Sequence, residues 1–215
     1  MDIWMPLDAL RLPHRCVLCR RRANVDTWCE DCAPQIALAS RYCYRCAGER
    51  WNGHACWPED AAVLTTTIAC RDSLALRRSL ATATRHGVAA VWQQCADVLT
   101  QRYLVRDDRL TLVCAVRLTR RTERAQALNP RQLLARTFAT DLGLAQGPPM
   151  TVTRRRRPLG ATVSSAWAGY HVVLVTDLIE TGRDLSQAAE LVRAHGCTGV
   201  DVVAVTRHGD YALGR

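Results

Sequence analysis

Seven of the eleven cysteines lie between residues 16 and 56, at the spacing of metal ligands. They read Cys16-x-x-Cys19, Cys29-x-x-Cys32 and Cys43-x-x-Cys46, followed by His54-x-Cys56. A C-x-x-C turn aims both sulfurs at one tetrahedral ion, and two such turns complete a structural zinc site. Nearest-neighbour pairing gives one zinc to Cys16, Cys19, Cys29 and Cys32. It gives a second to Cys43, Cys46, His54 and Cys56. A cross-brace, in which alternate pairs share an ion, fits the spacing as well. His54 lies between Trp51 and Trp57 and suits packing as much as ligation. No βαβ pattern surrounds any pair, which argues against a redox dithiol. Closed sites are structural, and the segment has few aliphatics, so metal is expected to supply most of its folding free energy.

A second constellation is "VVLVTDLIETGRD", Val172 to Asp184. Four aliphatic residues make a buried strand. Asp177 follows at its end and can accept hydrogen bonds from sugar hydroxyls. The turn Glu180-Thr181-Gly182-Arg183 then leads to a helix start, where backbone N–H groups can hold a phosphate. The pattern suits a phosphosugar, yet Glu180 and Asp184 place negative charge beside it. Asp184 also fits an N-cap, with Gln187 in the capping-box position and Gly196 at the far end.

These groups need a scaffold, and the rest of the chain supplies one. A first strand is expected over 61–70, a helix over 72–83 capped by Asp72 or Ser73 and stopped at His86-Gly87, and a second helix over 88–104 with Cys95 in its apolar stripe. "RLTLVCAVRL" (109–118) reads as a strand covered on both faces. A loop with Arg117, Arg120, Arg121 and Arg124 follows. Then come a helix over 131–144 that Gly147-Pro148-Pro149 stops, the strand "HVVLVTDL", a helix from Asp184 and a strand over 199–207. Strands alternating with helices predict an α/β fold with a parallel sheet. Ligands of such sheets sit beyond the carboxyl ends of the strands. Pro58-Glu59-Asp60 divides the chain into a cysteine-rich segment, 1–60, and an α/β segment, 61–215.

Composition narrows the function classes. The 215 residues are 48% hydrophobic and 23% charged, as in folded soluble domains. The net charge is +9 and there is no lysine, so every basic side chain except histidine is arginine. Arginine forks suit phosphate, and the surplus favours anionic partners: nucleotides, phosphosugars or nucleic acid. Trp28, Trp51 and Trp57 beside the cysteines suit base stacking or the core of a small zinc domain. The first sixteen residues lack the features of a secretory signal, and no apolar run approaches the roughly 20 residues that cross a bilayer. A cytoplasmic protein without membrane insertion is expected, with cysteines as ligands and buried thiols.

In this order of motifs the chain resembles the ComF family, bacterial phosphoribosyltransferase-like proteins associated with competence and DNA uptake. The resemblance runs over nearly the whole chain. It rests on the cysteine pairs, on Val116-Arg117-Leu118, Arg121, Asn129 and Leu134-Ala135, and on Val172–Val175 with Asp177, Thr181 and Gly182. Thr176 stands where the family has the first acid, Glu180 where it has the first threonine and Asp184 where it has the last. The resemblance implies a type I phosphoribosyltransferase-like domain that binds phosphoribosyl pyrophosphate (PRPP) with Mg²⁺, preceded by a zinc module. Asp177 would contact the ribose hydroxyls, Thr181 to Arg183 the 5′-phosphate, and Arg121 the pyrophosphate. Thr176, Glu180, Asp184 and Asn129 would lie in the same site. A carboxylate within about 4–6 Å of a phosphate costs on the order of 1–4 kcal/mol, so Glu180 and Asp184 predict weakened or lost transfer if they face it. The alternative is a non-catalytic protein that binds single-stranded DNA or competence proteins.

Overall fold

The computed structural model describes residues 16, 19, 21, 29–32, 42–47, 56–57, 62–103, 110–117, 128–151, 167–180 and 182–208. Its elements are β1 (Val63–Ile68), α1 (Leu74–His86), α2 (Ala89–Arg102), β2 (Thr111–Arg117), α3 (Pro130–Asp141), β3 (Ala145–Gln146), β4 (Met150–Thr151), β5 (His171–Ile179), α4 (Arg183–Ala194) and β6 (Gly199–Arg207). The strands form one sheet in the order β1-β6-β5-β2-β3, with β4 also on β2, and every pairing is parallel. The expected α/β class therefore holds. The domain boundary expected at residue 60 lies outside the described residues.

Strand alternation divides the interior into two cores. Val113, Ala115, Val173, Val175, Val203 and Val205 face α1, α2 and α3. Leu112, Cys114, Val172, Leu174, Val202 and Ala204 face α4 and the Cys43 segment. A strand buried on both sides needs aliphatics at every position, which explains the unbroken runs in β2 and β5. Helix α3 buries Leu134 and Phe138, four residues apart on one face. Each such side chain contributes about 1.5–3 kcal/mol by leaving water.

The helix ends follow local chemistry. Ser73, not Asp72, caps α1 by accepting from the Leu76 amide at 3.1 Å. Asp72 instead pairs with the Arg77 guanidinium. Gly87 closes α1 in the left-handed region that glycine tolerates best. Asn129 caps α3, accepting from the Gln132 amide at 3.2 Å, with Pro130 at the first helical position. The cap expected at Asp184 does not form. Gly182, at φ +73°, is the N-cap of α4, and Asp184 lies inside the first turn. A capping side chain needs an extended backbone, which a residue within the helix lacks. At the other end the cap residue is His195, and Gly196 follows at φ +84°.

Gly147-Pro148-Pro149 does not stop α3, which ends at Asp141 with Leu142 as its C-cap, ahead of β3. The tripeptide interrupts the edge that β3 and β4 form along β2. Gly147 donates to the Val113 carbonyl at 2.8 Å, and the two prolines, which have no N–H, sit where an edge strand tolerates them.

Candidate ligand site and metal centres

Helix α3 follows β2 against one face of the sheet and leads outward to β3, whereas α4 follows β5 against the other and leads to β6. The neighbouring strands β2 and β5 thus send their chains in opposite directions. That is a topological switch point, and the crevice beyond its carboxyl ends is where open α/β sheets bind ligands.

One ion pair spans the crevice. Asp177, near the end of β5, accepts from Arg131 Nε at 2.6 Å, and Arg131 Nη1 reaches the Val116 carbonyl of β2 at 3.4 Å. Asp177 is 25% exposed and Arg131 13%. The Leu178 amide (2.9 Å) and Thr176 hydroxyl (3.3 Å) donate to the same oxygen, Oδ1. Oδ2 accepts nothing among the described residues and can take a ligand hydroxyl. Thr176 itself is buried. Arg131 went unnoticed in the sequence because it sits in the first turn of an ordinary helix. The usable signal was its place just after the Asn129-Pro130 helix start, at the carboxyl edge of a parallel sheet.

The turn after β5 is only partly described. Glu180 is exposed, Arg183 is exposed at the start of α4 and Asp184 is half-buried; Thr181 lies outside the described residues. Gly182 is buried under Trp57, and a Cβ there would stand 2.3 Å from the indole ring. Of the three helices that directly follow a strand, α1 and α3 are capped by their own side chains, whereas α4 begins at a glycine that has none to offer. Arg121 lies outside the described residues, as do Arg120 and Arg124. Asn129 has its oxygen committed to the helix cap.

A cleft of about 390 Å³ opens beside Asp177, between α1, α2 and the ends of β5 and β6. Neither Glu180 nor Asp184 is among its walls. Asp177 shares the alternation of Val173 and Val175, which places it on the α1–α3 side, away from α4.

The cysteines form two groups. The sulfurs of Cys16, Cys19, Cys29 and Cys32 all lie within 4.8 Å of one another, as do those of Cys43, Cys46 and Cys56. No disulfide joins them. The Cys19–Cys29 and Cys43–Cys56 sulfurs are 3.5 and 3.8 Å apart. Two thiolates on a tetrahedral zinc, with Zn–S about 2.3 Å, stand about 3.8 Å apart, so both groups fit zinc. The first group has the nearest-neighbour pairing. The second has three ligands, and its fourth candidate, His54, lies outside the described residues. Hydrogen bonding to the Arg21 backbone lowers the Cys19 thiol from its usual range. Burial raises Cys32 of the same group well above its usual range, and it raises the non-ligand thiols too, Cys70 to about 11 and Cys114 to about 12. Cys95, fully buried, is also raised by burial and behaves as a core thiol.

The second group is fastened to the sheet. Cys43, Cys46, Ala47 and Trp57 belong to the core on the α4 face. The Thr66 amide donates to the Tyr44 carbonyl (2.8 Å) and its hydroxyl to the Arg45 carbonyl (2.6 Å). Trp57 Nε1 donates to the Thr66 hydroxyl at 3.2 Å. Arg207 hydrogen-bonds the Cys46 carbonyl and stacks over Trp57. Trp57 is therefore a core residue, not an open stacking platform. Trp28 and Trp51 lie outside the described residues.

No family model matches this sequence, and no curated protein does. Among solved structures it is similar to a purine phosphoribosyltransferase from Pyrococcus horikoshii, at 16% identity and a TM-score of 0.39, over 54% of this chain and 84% of that one. It is also similar to an HGPRT-ase from Leishmania tarentolae in complex with GMP, at 17% identity and 0.38, over 61% and 72%. The function proposed below rests on the chain's own residues.

Proposed function

We propose that this chain is a phosphoribosyltransferase-family protein of the ComF type, with PRPP or a related phosphosugar or nucleotide as its ligand. The carrying observation is Asp177 at the β2/β5 switch point, oriented by Arg131 through Oδ1 with Oδ2 left for a ribose hydroxyl. The 5′-phosphate would lie at the glycine-started end of α4, where the helix dipole and backbone N–H groups favour an anion. Thr181 and Arg183 border that position in the sequence, and Arg121 belongs to the loop after β2 that would meet the pyrophosphate. The division into 1–60 and 61–215 is part of the same proposal.

In the transfer itself, the acceptor's lone pair forms a bond to the anomeric carbon. The bond from that carbon to the pyrophosphate oxygen breaks, and pyrophosphate leaves with the electron pair. The acceptor's proton passes to solvent. Mg²⁺ carried with PRPP would offset charge on the leaving group. The chain's own part is to hold the ribose with Asp177, whose negative charge favours the cationic sugar of the transition state, and to fix that carboxylate with Arg131.

Thermal shift with PRPP and Mg²⁺ tests the reading. Stabilisation is expected in the native chain and lost in Asp177→Asn; no shift at millimolar PRPP overturns it. Asp184→Asn is expected to tighten PRPP binding, because it removes a carboxylate from the turn that would hold the phosphate. The +9 charge makes single-stranded DNA, or another component of DNA uptake, the second candidate partner. DNA binding would have to weaken steeply with salt.

A further inference from the structure

The second cysteine group and the turn after β5 meet at one side chain. Cys56 is exposed, whereas Trp57, the next residue, is buried. The Trp57 ring covers Gly182, where an added Cβ would stand 2.3 Å from it. Gly182 is the N-cap of α4, and its carbonyl accepts the helix's first hydrogen bond, from the Ser186 amide at 2.9 Å. A single peptide bond thus separates a candidate metal ligand from the side chain that roofs a helix start.

Metal is what would gather the cysteine end. Cys43 and Cys46 are buried, but burial does not hold the exposed Cys56. Its sulfur stands 3.8 Å from that of Cys43, the separation of two thiolates on one zinc. The knuckle between Cys43 and Cys46 closes tightly. The Ala47 amide donates to the Cys43 carbonyl at 2.7 Å, and Ala47 takes φ +54°, the only non-glycine with a positive φ among the described residues. A residue with a Cβ keeps that conformation where its surroundings impose it. Arg207, at the end of β6, bonds the Cys46 carbonyl, and its Cζ stands 6.0 Å from the centre of the Trp57 ring. The group therefore reaches the indole by two routes, through Cys56 along the chain and through Arg207 across the sheet end.

We propose that Trp57 couples the Cys43, Cys46 and Cys56 group to the turn after β5, so that metal loading of that group sets how firmly α4 begins. In the loaded chain, Cys56 is fixed and Trp57 stays over Gly182. In the stripped chain, Cys56 is released to solvent, the indole beside it loosens, and the first turn of α4 opens more often. The Cys16 group, which forms a core cluster of its own, has no such influence. The coupling holds whatever the turn binds; its bearing on a phosphate there rests on the function proposed above.

The test is amide hydrogen exchange, followed by NMR on the zinc-loaded full chain. Ser186 reports the start of α4. The Arg77 and Leu133 amides, which donate to Ser73 and Asn129 at 3.0 and 3.1 Å, report the starts of α1 and α3. Cys56→Ser is expected to lower zinc content by about one ion per chain and to speed Ser186 exchange about 10-fold, with Arg77 and Leu133 changed less than about 2-fold. Cys19→Ser removes a ligand from the other group and should leave Ser186 within about 2-fold. Trp57→Leu should speed Ser186 with zinc still bound, and adding Cys56→Ser to it should bring less than about 2-fold more. Unchanged zinc or unchanged Ser186 exchange in Cys56→Ser, acceleration of all three amides together, an equal effect of Cys19→Ser, or fully additive effects of Trp57→Leu and Cys56→Ser overturns the proposal. Thermal shift with PRPP separates the two readings. Faster Ser186 exchange in Cys56→Ser with no PRPP response in the native chain upholds the coupling and overturns the function alone. A PRPP response in the native chain with Ser186 unmoved in Cys56→Ser overturns the coupling alone.

Discussion

Two carboxylates near opposite ends of the same sheet have contrasting surroundings. Asp201, early in β6, is 1% exposed and fully engaged: Oδ1 accepts from the Thr65 amide (3.1 Å) and hydroxyl (2.7 Å), and Oδ2 from the Tyr103 hydroxyl (3.1 Å), with His171 Nε2 at 2.8 Å. Asp177, near the end of β5, is 25% exposed and uses one oxygen only. Every bond to Asp201 ties one element to another: β1, the end of α2, and β5. Asp177 is held in place and left half available. A buried charge with all its bonds made is architecture; a fixed charge with an open oxygen in a crevice is a site.

The contrast breaks most visibly at Asp201. Asp201→Ala would strand His171, Thr65 and Tyr103 in the core, with an expected loss of about 3–5 kcal/mol by chemical denaturation. Asp177→Ala should cost far less, because its ion pair is partly in water. Equal losses would erase the distinction. The acid limb of the stability curve carries the same information. Burial raises the Asp201 carboxyl, but hydrogen bonds from His171, Thr65 and Tyr103, with the His171 charge, outweigh it and set the group below its usual range. The unfolded value is about 3.9, so the contribution is complete above about pH 4 and is lost as pH falls through the folded value. Asp201→Asn should flatten that limb.

Gly182 tests the site end. Alanine there must adopt φ +73° and also displace Trp57, whose ring stands 2.3 Å from the new methyl. The backbone penalty is about 1–2 kcal/mol and the overpacking about 1–3 kcal/mol. Gly143 is the control, since at φ +65° it has nothing within 4 Å and only the backbone penalty applies. If Gly182→Ala costs no more than Gly143→Ala, Trp57 does not brace the turn.

Much of the scaffold was legible because aliphatic runs and cap residues act locally. The runs around Val113, Val173 and Val203 could only be strands covered on both faces, and Ser73 and Gly87 punctuate α1 by their own chemistry. Asp177 stood out as the acid that ends such a run. Its partner did not, because Arg131 lies 46 residues away and only the sheet order brings the two together. Asp201 carried a signal that went unread: a lone carboxylate inside "GVDVVAV" has to find partners in the core.

The smallest expected effect separates two helix starts at the site end of the sheet. Ser73 accepts the Leu76 amide, so Ser73→Ala should destabilise by about 1 kcal/mol. Asp184 looked like the equivalent cap in α4, but Gly182 holds that position and Asp184 lies two residues on, in the first turn. All that Asp184 can add there is its charge against the helix dipole, about 0.3–1 kcal/mol and screened by salt. Denaturation of the two alanine variants in low and high salt distinguishes the roles. The Ser73 loss should persist in high salt, and the Asp184 loss should fade. A salt-resistant loss of about 1 kcal/mol at Asp184 would mean that its carboxylate does cap α4, where the proposed phosphate has to bind.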